Sequence, residues 1–192
     1  MTFVFRVSAG FAVLLLLPAA AGAQAPPAEP SFSGSEERLD GDVADPLLRR
    51  ALAALWTGGP GGPGGEANPL KAELSVEQEE REEDGRFRVT AVVALPLAAV
   101  FVQPQENFHV AHLTVAVAAR DGKGRISGLP RGELPIEIPN ERLLSAPGQS
   151  AGYRFILHLA PGDSLLAVAL RDDVSGTESV VRLALTPGVM KP

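Results

Sequence analysis

Ser150 is the residue whose surroundings come closest to a known catalytic pattern, because it lies at the centre of a G-x-S-x-G motif. In hydrolases with this motif a strand precedes the serine, a helix follows it, and the acid comes before the histidine along the chain. Here Pro147 precedes the motif and an alternating apolar segment follows it. The single histidine after Ser150 is His158, which comes before Asp163. The sequence therefore predicts that Ser150 is not catalytic and lies in a loop that enters a strand.

The three histidines are the next candidates, as ligands of a metal ion. His109 and His112 are three residues apart at the start of a predicted strand, which places them on opposite faces. His112 and His158 both fall on outward faces and would meet if their strands were neighbours. A zinc site would still lack a third ligand, and the chain has no cysteine to supply thiolates. We therefore expect solvent-facing histidines, no metal site and no cofactor.

Asp and Glu are plentiful, but a glycosidase needs two of them facing each other across a cleft. A single small sandwich with short loops offers little cleft. Residues 77–84 form an acidic run that we interpret as a solvated hairpin loop rather than a cation site. Trp56 and Tyr153 are the only Trp and Tyr in the chain, and Tyr153 falls on a predicted core face. An aromatic platform for sugars is thus poorly supported, and we expect that the chain is not an enzyme.

The elements that would position these side chains are β-strands. Residues 153–172 contain two alternating apolar runs on either side of a turn at 160–163, which predicts an antiparallel hairpin with one buried face. A lone hairpin is unstable in water, so further strands must cover it. Runs of the same kind lie at residues 70–77, 87–94, 111–120, 134–138 and 178–186. About seven strands with turn signals every 8–12 residues or so predict an all-β fold, an antiparallel sandwich like those of immunoglobulin and fibronectin domains.

The alternation also assigns a core to this sandwich. Eight apolar residues fall on inward faces of their strands and are predicted to lie between the two sheets: Leu113, Val115, Val117, Phe155, Leu157, Val168, Leu170 and Leu183. Thr114 falls on the opposite face of the most regular strand. We expect its side chain to point outward and to contribute little to stability.

Residues 45–57 carry the one clear helix signal. Asp45 is suited to cap the free amides of the first turn, and Pro46 to the first helical position. An apolar stripe at helical spacing consists of Leu48, Ala51, Leu52 and Leu55. Two interpretations remain open: the helix docks on the sandwich, or it presents Leu52, Leu55 and Trp56 to a groove in a partner protein. Docking is favoured because so short a helix is marginal in water by itself.

The remaining segments describe an exported chain. Residues 1–23 have an arginine, an apolar core at 7–17 and a small-x-small cleavage site at 21–23, as in a signal peptide. An uncleaved membrane anchor is the alternative, since about 20 residues suffice to span a bilayer. Residues 24–44 are rich in Pro, Ala and Ser and predict a disordered tail, 58–69 a Gly/Pro linker, and 70–188 the sandwich domain. A net charge of −6 disfavours nucleic acid and anionic lipid as partners.

From residue 111 onward the sequence resembles a bacterial pattern. The segments AHLTVAVAARDGKGRI, GYRFILHLAPGD, LLAVALRDDVSG and VVRLAL occur in that order. They are similar to the C-terminal β-sandwich region of secreted proteins related to von Willebrand factor type A. Ser164 stands where that family usually has a tyrosine, and the Asp-x-Ser-x-Ser strand end of the metal-dependent adhesion module is absent from the sequence. The resemblance implies a fold but transfers no functional residue.

Together these features predict a periplasmic or extracellular, non-catalytic β-sandwich that acts in contact with another protein of the cell envelope or as a structural accessory. The residues expected to make that contact are Leu52, Leu55 and Trp56. Two other classes of function remain as alternatives. One is a module that binds a small molecule or carbohydrate through its loops, and the other is a hydrolase that uses Ser150 or a carboxylate pair. The oligomeric state stays open.

Overall fold

A computed structural model of the chain describes residues 45–56 and 67–188. It contains one α-helix and eight strands: α1 Pro46–Ala54, β1 Glu73–Arg81, β2 Phe87–Pro96, β3 Gln103–Pro104, β4 Phe108–Arg120, β5 Ile126–Pro139, β6 Ser150–Leu159, β7 Ser164–Asp172 and β8 Glu178–Leu185. The predicted signal peptide and tail, and the predicted linker up to residue 66, lie outside the described residues. In the described part of the chain no helix is long and apolar enough to span a membrane.

The strands form two antiparallel sheets that pack face to face. The three-stranded sheet has the order β1-β2-β6. In the five-stranded sheet β4 pairs with β7 and β7 with β8, while β5 and the short β3 both pair with β4. The predicted all-β sandwich is confirmed. The strand count is eight rather than about seven, because the chain around Pro104 forms a two-residue strand.

The core between the sheets consists of the inward faces that alternation predicted. Seven of the eight predicted residues are buried, and the eighth, Leu183 on β8, is half-buried and packs against the same cluster. β8 is an edge strand, so its inward side chains are covered from one direction only. The inward face of β2 adds Val89, Ala91 and Val93, which no water reaches.

One predicted pairing is wrong. The runs at residues 153–159 and 165–170 do not form a hairpin, because β6 pairs with β2 in one sheet and β7 pairs with β4 and β8 in the other. The turn between them carries the chain from sheet to sheet. Each of these strands buries one face in the same core. The alternating pattern is therefore the same whether the two strands are neighbours in one sheet or lie in opposite sheets. The crossing is tight: Gly122 lies against the carbonyl of Pro161, and a Cβ added to Gly122 would clash with that oxygen.

The acidic run is not a loop along its whole length. β1 continues through it to Arg81 and pairs with β2, with a register irregularity between Val76 and Gln78 that accommodates Glu77. Residues 82–86 alone form the turn. The prediction failed here because charged side chains are tolerated on an edge strand, where they remain in water and prevent unwanted pairing.

The helix docks on the outer face of the five-stranded sheet. It begins as predicted, with the Asp45 carboxylate accepting hydrogen bonds from the amides of Leu47 and Leu48 at 2.8 and 3.3 Å. Four residues of the helix segment bury their side chains against four alanines of β4 and β7: Leu47, Ala51, Ala54 and Leu55 against Ala116, Ala118, Ala167 and Ala169. Because alanine side chains are short, the helix approaches closely and closes a second, smaller core on this side of the sheet.

Candidate functional site

The three residues predicted to contact a partner have different fates. Leu55 is 2% exposed and packs against the sheet, so its assignment to a partner surface is wrong in the docked helix. Leu52 is half-buried at the margin of the same cluster. Trp56 is 64% exposed and is the one member of the set that is available to another molecule.

The exposed Trp56 is held by its neighbours. The guanidinium carbon of Arg120, the last residue of β4, lies 5.4 Å from the centre of the indole ring, within the range of a cation–π contact. Arg182 donates a hydrogen bond of 3.3 Å to the carbonyl of Ala54, two residues before Trp56. Arg50 forms an ion pair of 2.8 Å with Glu178 of β8. These contacts hold the end of the helix and the indole ring in a defined position.

A second candidate site is a hollow of about 490 Å³ on the outer side of the five-stranded sheet. Its walls come from β3, β4, β5 and the turn after β7, and consist of Gln103, His112, Leu113, Glu133, Asp173 and Val174. It is an open depression of the surface rather than an enclosed cleft. Its walls are mostly polar, so it suits a hydrophilic ligand.

Asp173 connects the hollow to a network on the sheet. Its carboxylate accepts a hydrogen bond of 2.7 Å from the Thr114 hydroxyl and one of 2.9 Å from Arg171. Arg131 in turn donates to the Thr114 oxygen at 2.8 Å. Burial would raise the pKa of the Asp173 carboxyl, but the bonds from Thr114 and Arg171 outweigh it and hold the pKa below its usual value. Thr114 points outward as predicted, yet it is 1% exposed, so the expectation that it is unimportant for stability needs correction.

The neighbouring Asp172 holds together the two loops beside the hollow. Its buried carboxylate accepts hydrogen bonds from the amides of Val174 and Ser175 on one oxygen, and from the amide of Phe101 on the other at 2.9 Å. The last contact ties the loop before β3 to the end of β7. It also places Phe101, which is 55% exposed, two residues from the hollow wall at Gln103.

The structure does not assemble a serine hydrolase site. Ser150 opens β6 and pairs with Pro96, whereas His158 lies near the other end of the same strand. Eight residues of extended chain separate them, which is roughly 26 Å at the usual rise per residue. The imidazole of His158 instead forms a hydrogen bond of 2.8 Å with Glu82.

The histidines do not meet each other. His112 lies on β4 and His158 on β6, in different sheets, and His109 bonds Asn140 at 3.0 Å. Across residues 45–56 and 67–188, no group of three or more His, Cys, Asp or Glu is arranged to hold a metal ion. Tyr153 is partly buried, which raises the pKa of its hydroxyl, and it lies against Gly132 of β5. It is therefore not a platform for a sugar.

The hollow was missed at the sequence level because strand register creates it. His112 and Glu133 are far apart in the chain, and the pairing of Thr114 with Glu133 between β4 and β5 is what brings them to one place. The pair Asp172-Asp173, which follows an apolar run and Arg171, was the available signal, since carboxylates at a strand end often fix turns.

Comparison with known proteins adds little. No protein-family profile matches the chain, and no curated protein is similar to it. A solved structure, the X-ray structure of Northeast Structural Genomics Consortium target SoR45, is 17% identical with a TM-score of 0.42. The similarity covers 65% of this chain and 92% of that one.

Proposed function

We propose that this chain is an exported, non-catalytic β-sandwich protein that acts by contact with another protein in the cell envelope or outside the cell. The observation that carries the proposal is the exposed Trp56 on a docked helix. Tryptophan is the side chain most enriched at the energetic centres of protein interfaces. An anchor that is already fixed loses little conformational entropy on binding, which favours affinity.

The surroundings of Trp56 define the chemistry of the partner. Arg49 and Arg50 occupy the solvent side of α1, and Arg120 lies beneath the indole ring. Glu178 pairs with Arg50, and the two other arginines make this surface locally basic on a chain whose net charge is −6. A complementary partner has an apolar pocket for the indole ring with acidic residues at its rim.

Export is supported by the sequence of residues 1–23, and by the resemblance of the strands after residue 111 to secreted proteins related to von Willebrand factor type A. The relation to these secreted proteins and the location in the envelope or outside the cell are both included in what we propose. The chain has no cysteine, so no disulfide stabilises the fold, and the two packed cores supply the burial that does.

The proposal is tested by crosslinking capture from the native envelope with the full chain. A photoreactive residue at position 53, an exposed position of α1, should capture a specific partner. We expect Trp56→Ala to abolish this capture and Phe101→Ala to preserve it. Phe101 is a matched control because it is an exposed aromatic residue elsewhere on the molecule. Capture that is the same with both variants, or absent with the unaltered surface, would contradict the proposal.

The hollow supports a second candidate function, the binding of a small hydrophilic ligand such as a neutral saccharide. The observation in favour is the group of polar side chains that converge there: His112, Glu133, Asp173 and Gln103. Ligand-observed NMR with a panel of neutral oligosaccharides distinguishes the two functions. Binding that is lost in His112→Ala and kept in Trp56→Ala favours this second function. No binding by the unaltered protein rejects it.

A further inference from the structure

β6 is an edge strand with an open side. Among the described residues it pairs only with β2, along ten positions from Ser150–Pro96 to Leu159–Phe87. Within residues 45–56 and 67–188, no strand pairs with the amide and carbonyl groups on the other side of its backbone. Such an edge is a template for pairing with another strand unless something blocks it.

Apart from β3, which is only two residues long, the other three outer strands each have a visible block. β5 contains Pro135 and Pro139, which lack the amide needed for pairing. β8 is covered at its start, where the amide of Val180 donates to the carbonyl of Ala67. β1 is lined with charge, since five of its nine residues are Glu or Arg: Glu73, Glu77, Glu79, Glu80 and Arg81.

β6 has none of these blocks. Its sequence SAGYRFILHL contains no proline and no acidic residue, and its centre is rich in residues that favour strands. Its outward face carries Arg154, Ile156 and His158, of which Ile156 is a half-buried apolar residue at the middle. Leu144, in the loop that leads into β6, is 97% exposed. This edge is the least protected of the four.

We propose that β6 pairs antiparallel with β6 of a second copy of this chain, so that two three-stranded sheets join into one six-stranded sheet. A continuous sheet requires that residues opposite each other lie on the same face, because a shift by one residue exchanges the faces. The twofold axis must then pass through a residue rather than between two. An axis at Arg154 would place two like charges opposite each other, which is unfavourable.

An axis at Ile156 gives the best complementarity on the outward face. It places the two Ile156 side chains together and buries the apolar centre of the strand. It also places Arg154, whose guanidinium already pairs with Glu77, opposite His158 of the second copy, whose ring is bonded to Glu82. Each of the two symmetric contacts thus brings together two basic side chains and the two carboxylates that accompany them, so the basic groups are matched by acidic ones.

A second copy supplies a strand of the right length and composition for this edge. Residues 24–30 include three prolines and residues 58–65 are glycine and proline throughout, and both compositions disfavour pairing as a strand. The proposed interface consists of one strand from each copy and is small. We therefore expect a reversible dimer that forms as the protein concentration rises.

Single cysteines test the register directly, since the natural chain has none. Under mild oxidation Ile156→Cys should form a disulfide-linked dimer rapidly, because cross-strand neighbours lie within disulfide range. Arg154→Cys and His158→Cys should each remain monomeric alone, because the like positions of two copies are about 13 Å apart, yet an equimolar mixture of the two should crosslink. Ser75→Cys, on the exposed edge of β1, sets the rate of chance collision. Crosslinking of Ile156→Cys at the Ser75→Cys rate would overturn the proposal.

Sedimentation of the cysteine-free chain gives an independent test. Ile156→Lys should abolish dimerisation, because it places two positive charges opposite each other. Ser75→Lys adds the same charge to the same face of the same sheet at its other edge, and should leave dimerisation unchanged. Circular dichroism verifies that both variants fold. A monomer at all concentrations, or equal dimer populations in the two variants, would contradict β6 pairing.

Discussion

The two outer faces of this sandwich are finished in different ways. The outer face of the three-stranded sheet is open to water and carries ion pairs between strands, such as Glu77–Arg154 at 2.8 Å and Glu80–Arg88 at 3.9 Å. The outer face of the five-stranded sheet carries a row of alanines that α1 covers completely. The first face is specified by charge pairing and the second by burial, so the two should respond very differently to substitution.

The covered face is also the face with candidate sites. The helix fixes Trp56 at one end of β4, and the hollow with His112 lies near the other end of the same strand. Covering part of a sheet with a helix leaves borders where side chains from two layers meet. Such borders provide more varied chemistry than a flat charged sheet, and they explain why both proposed functions use this face.

The largest effect is expected at the helix–sheet contact. Leu55→Ala should lower the free energy of unfolding by about 2–5 kcal/mol, the usual loss for a buried leucine. Leu144→Ala makes the same chemical change at a fully exposed leucine and should be nearly neutral. Urea denaturation of both variants measures the difference. Equal losses would mean that the helix is not part of the cooperative fold.

An enlarged side chain under the helix is expected to have the next largest effect. The larger side chain of Ala118→Leu does not fit between α1 and the sheet. Overpacking of this kind lowers the free energy of unfolding by about 1–3 kcal/mol. Thr90→Leu enlarges a side chain on the open face of the three-stranded sheet, where the larger side chain displaces water and should change stability little. Thermal unfolding of the pair should show a clear decrease in Tm for Ala118→Leu alone.

The pH dependence of the unfolding free energy should reveal the contribution of Asp173, which lies on the covered face. The pKa of its carboxyl in the folded state lies below the unfolded value near 3.8. Its contribution to stability is therefore complete above about pH 5 and is lost as the pH falls through the folded-state pKa. Asp173→Asn should weaken the acid dependence of the unfolding midpoint in this range. An acid limb identical to that of the unaltered chain would show that the Thr114 and Arg171 contacts do not form.

The smallest effect is expected for the ion pairs on the open face. A double-mutant cycle with Glu77→Gln and Arg154→Ala should give a coupling energy of about 0.2–1 kcal/mol that decreases in high salt, because both side chains are partly exposed. A coupling energy above this range would mean that the open face is stabilised as strongly as the covered one.

The sequence predicts side-chain faces well and strand neighbours poorly. Alternation fixes which face of β6 and β7 is buried, because burial acts on each residue locally. It does not say whether the strands are neighbours, and so the predicted hairpin at residues 153–172 was wrong. The helix start followed from Asp45 and Pro46, whose capping chemistry is local as well.

The helix position and the hollow depended on longer-range information. Ala116 and Ala118 alternate with the predicted core residues of β4 and therefore fall on its outward face, and their small size is a sign that another element covers them. An outward strand position is usually polar. Alanines at two successive outward positions therefore indicate that another element docks on that face. The hollow required the β4–β5 register and the tie between Phe101 and Asp172, neither of which has a local signal.

The most direct test of the docked helix is native-state hydrogen exchange at residues 50–54. An isolated helix of this length is largely unfolded in water, so its amides would exchange at the rates of a disordered peptide. If α1 is docked as described, these amides should exchange only through global unfolding, with the same free energy as the amide of Val115 in β4. Rapid exchange at residues 50–54 while Val115 stays protected would contradict docking, and with it the fixed position of Trp56.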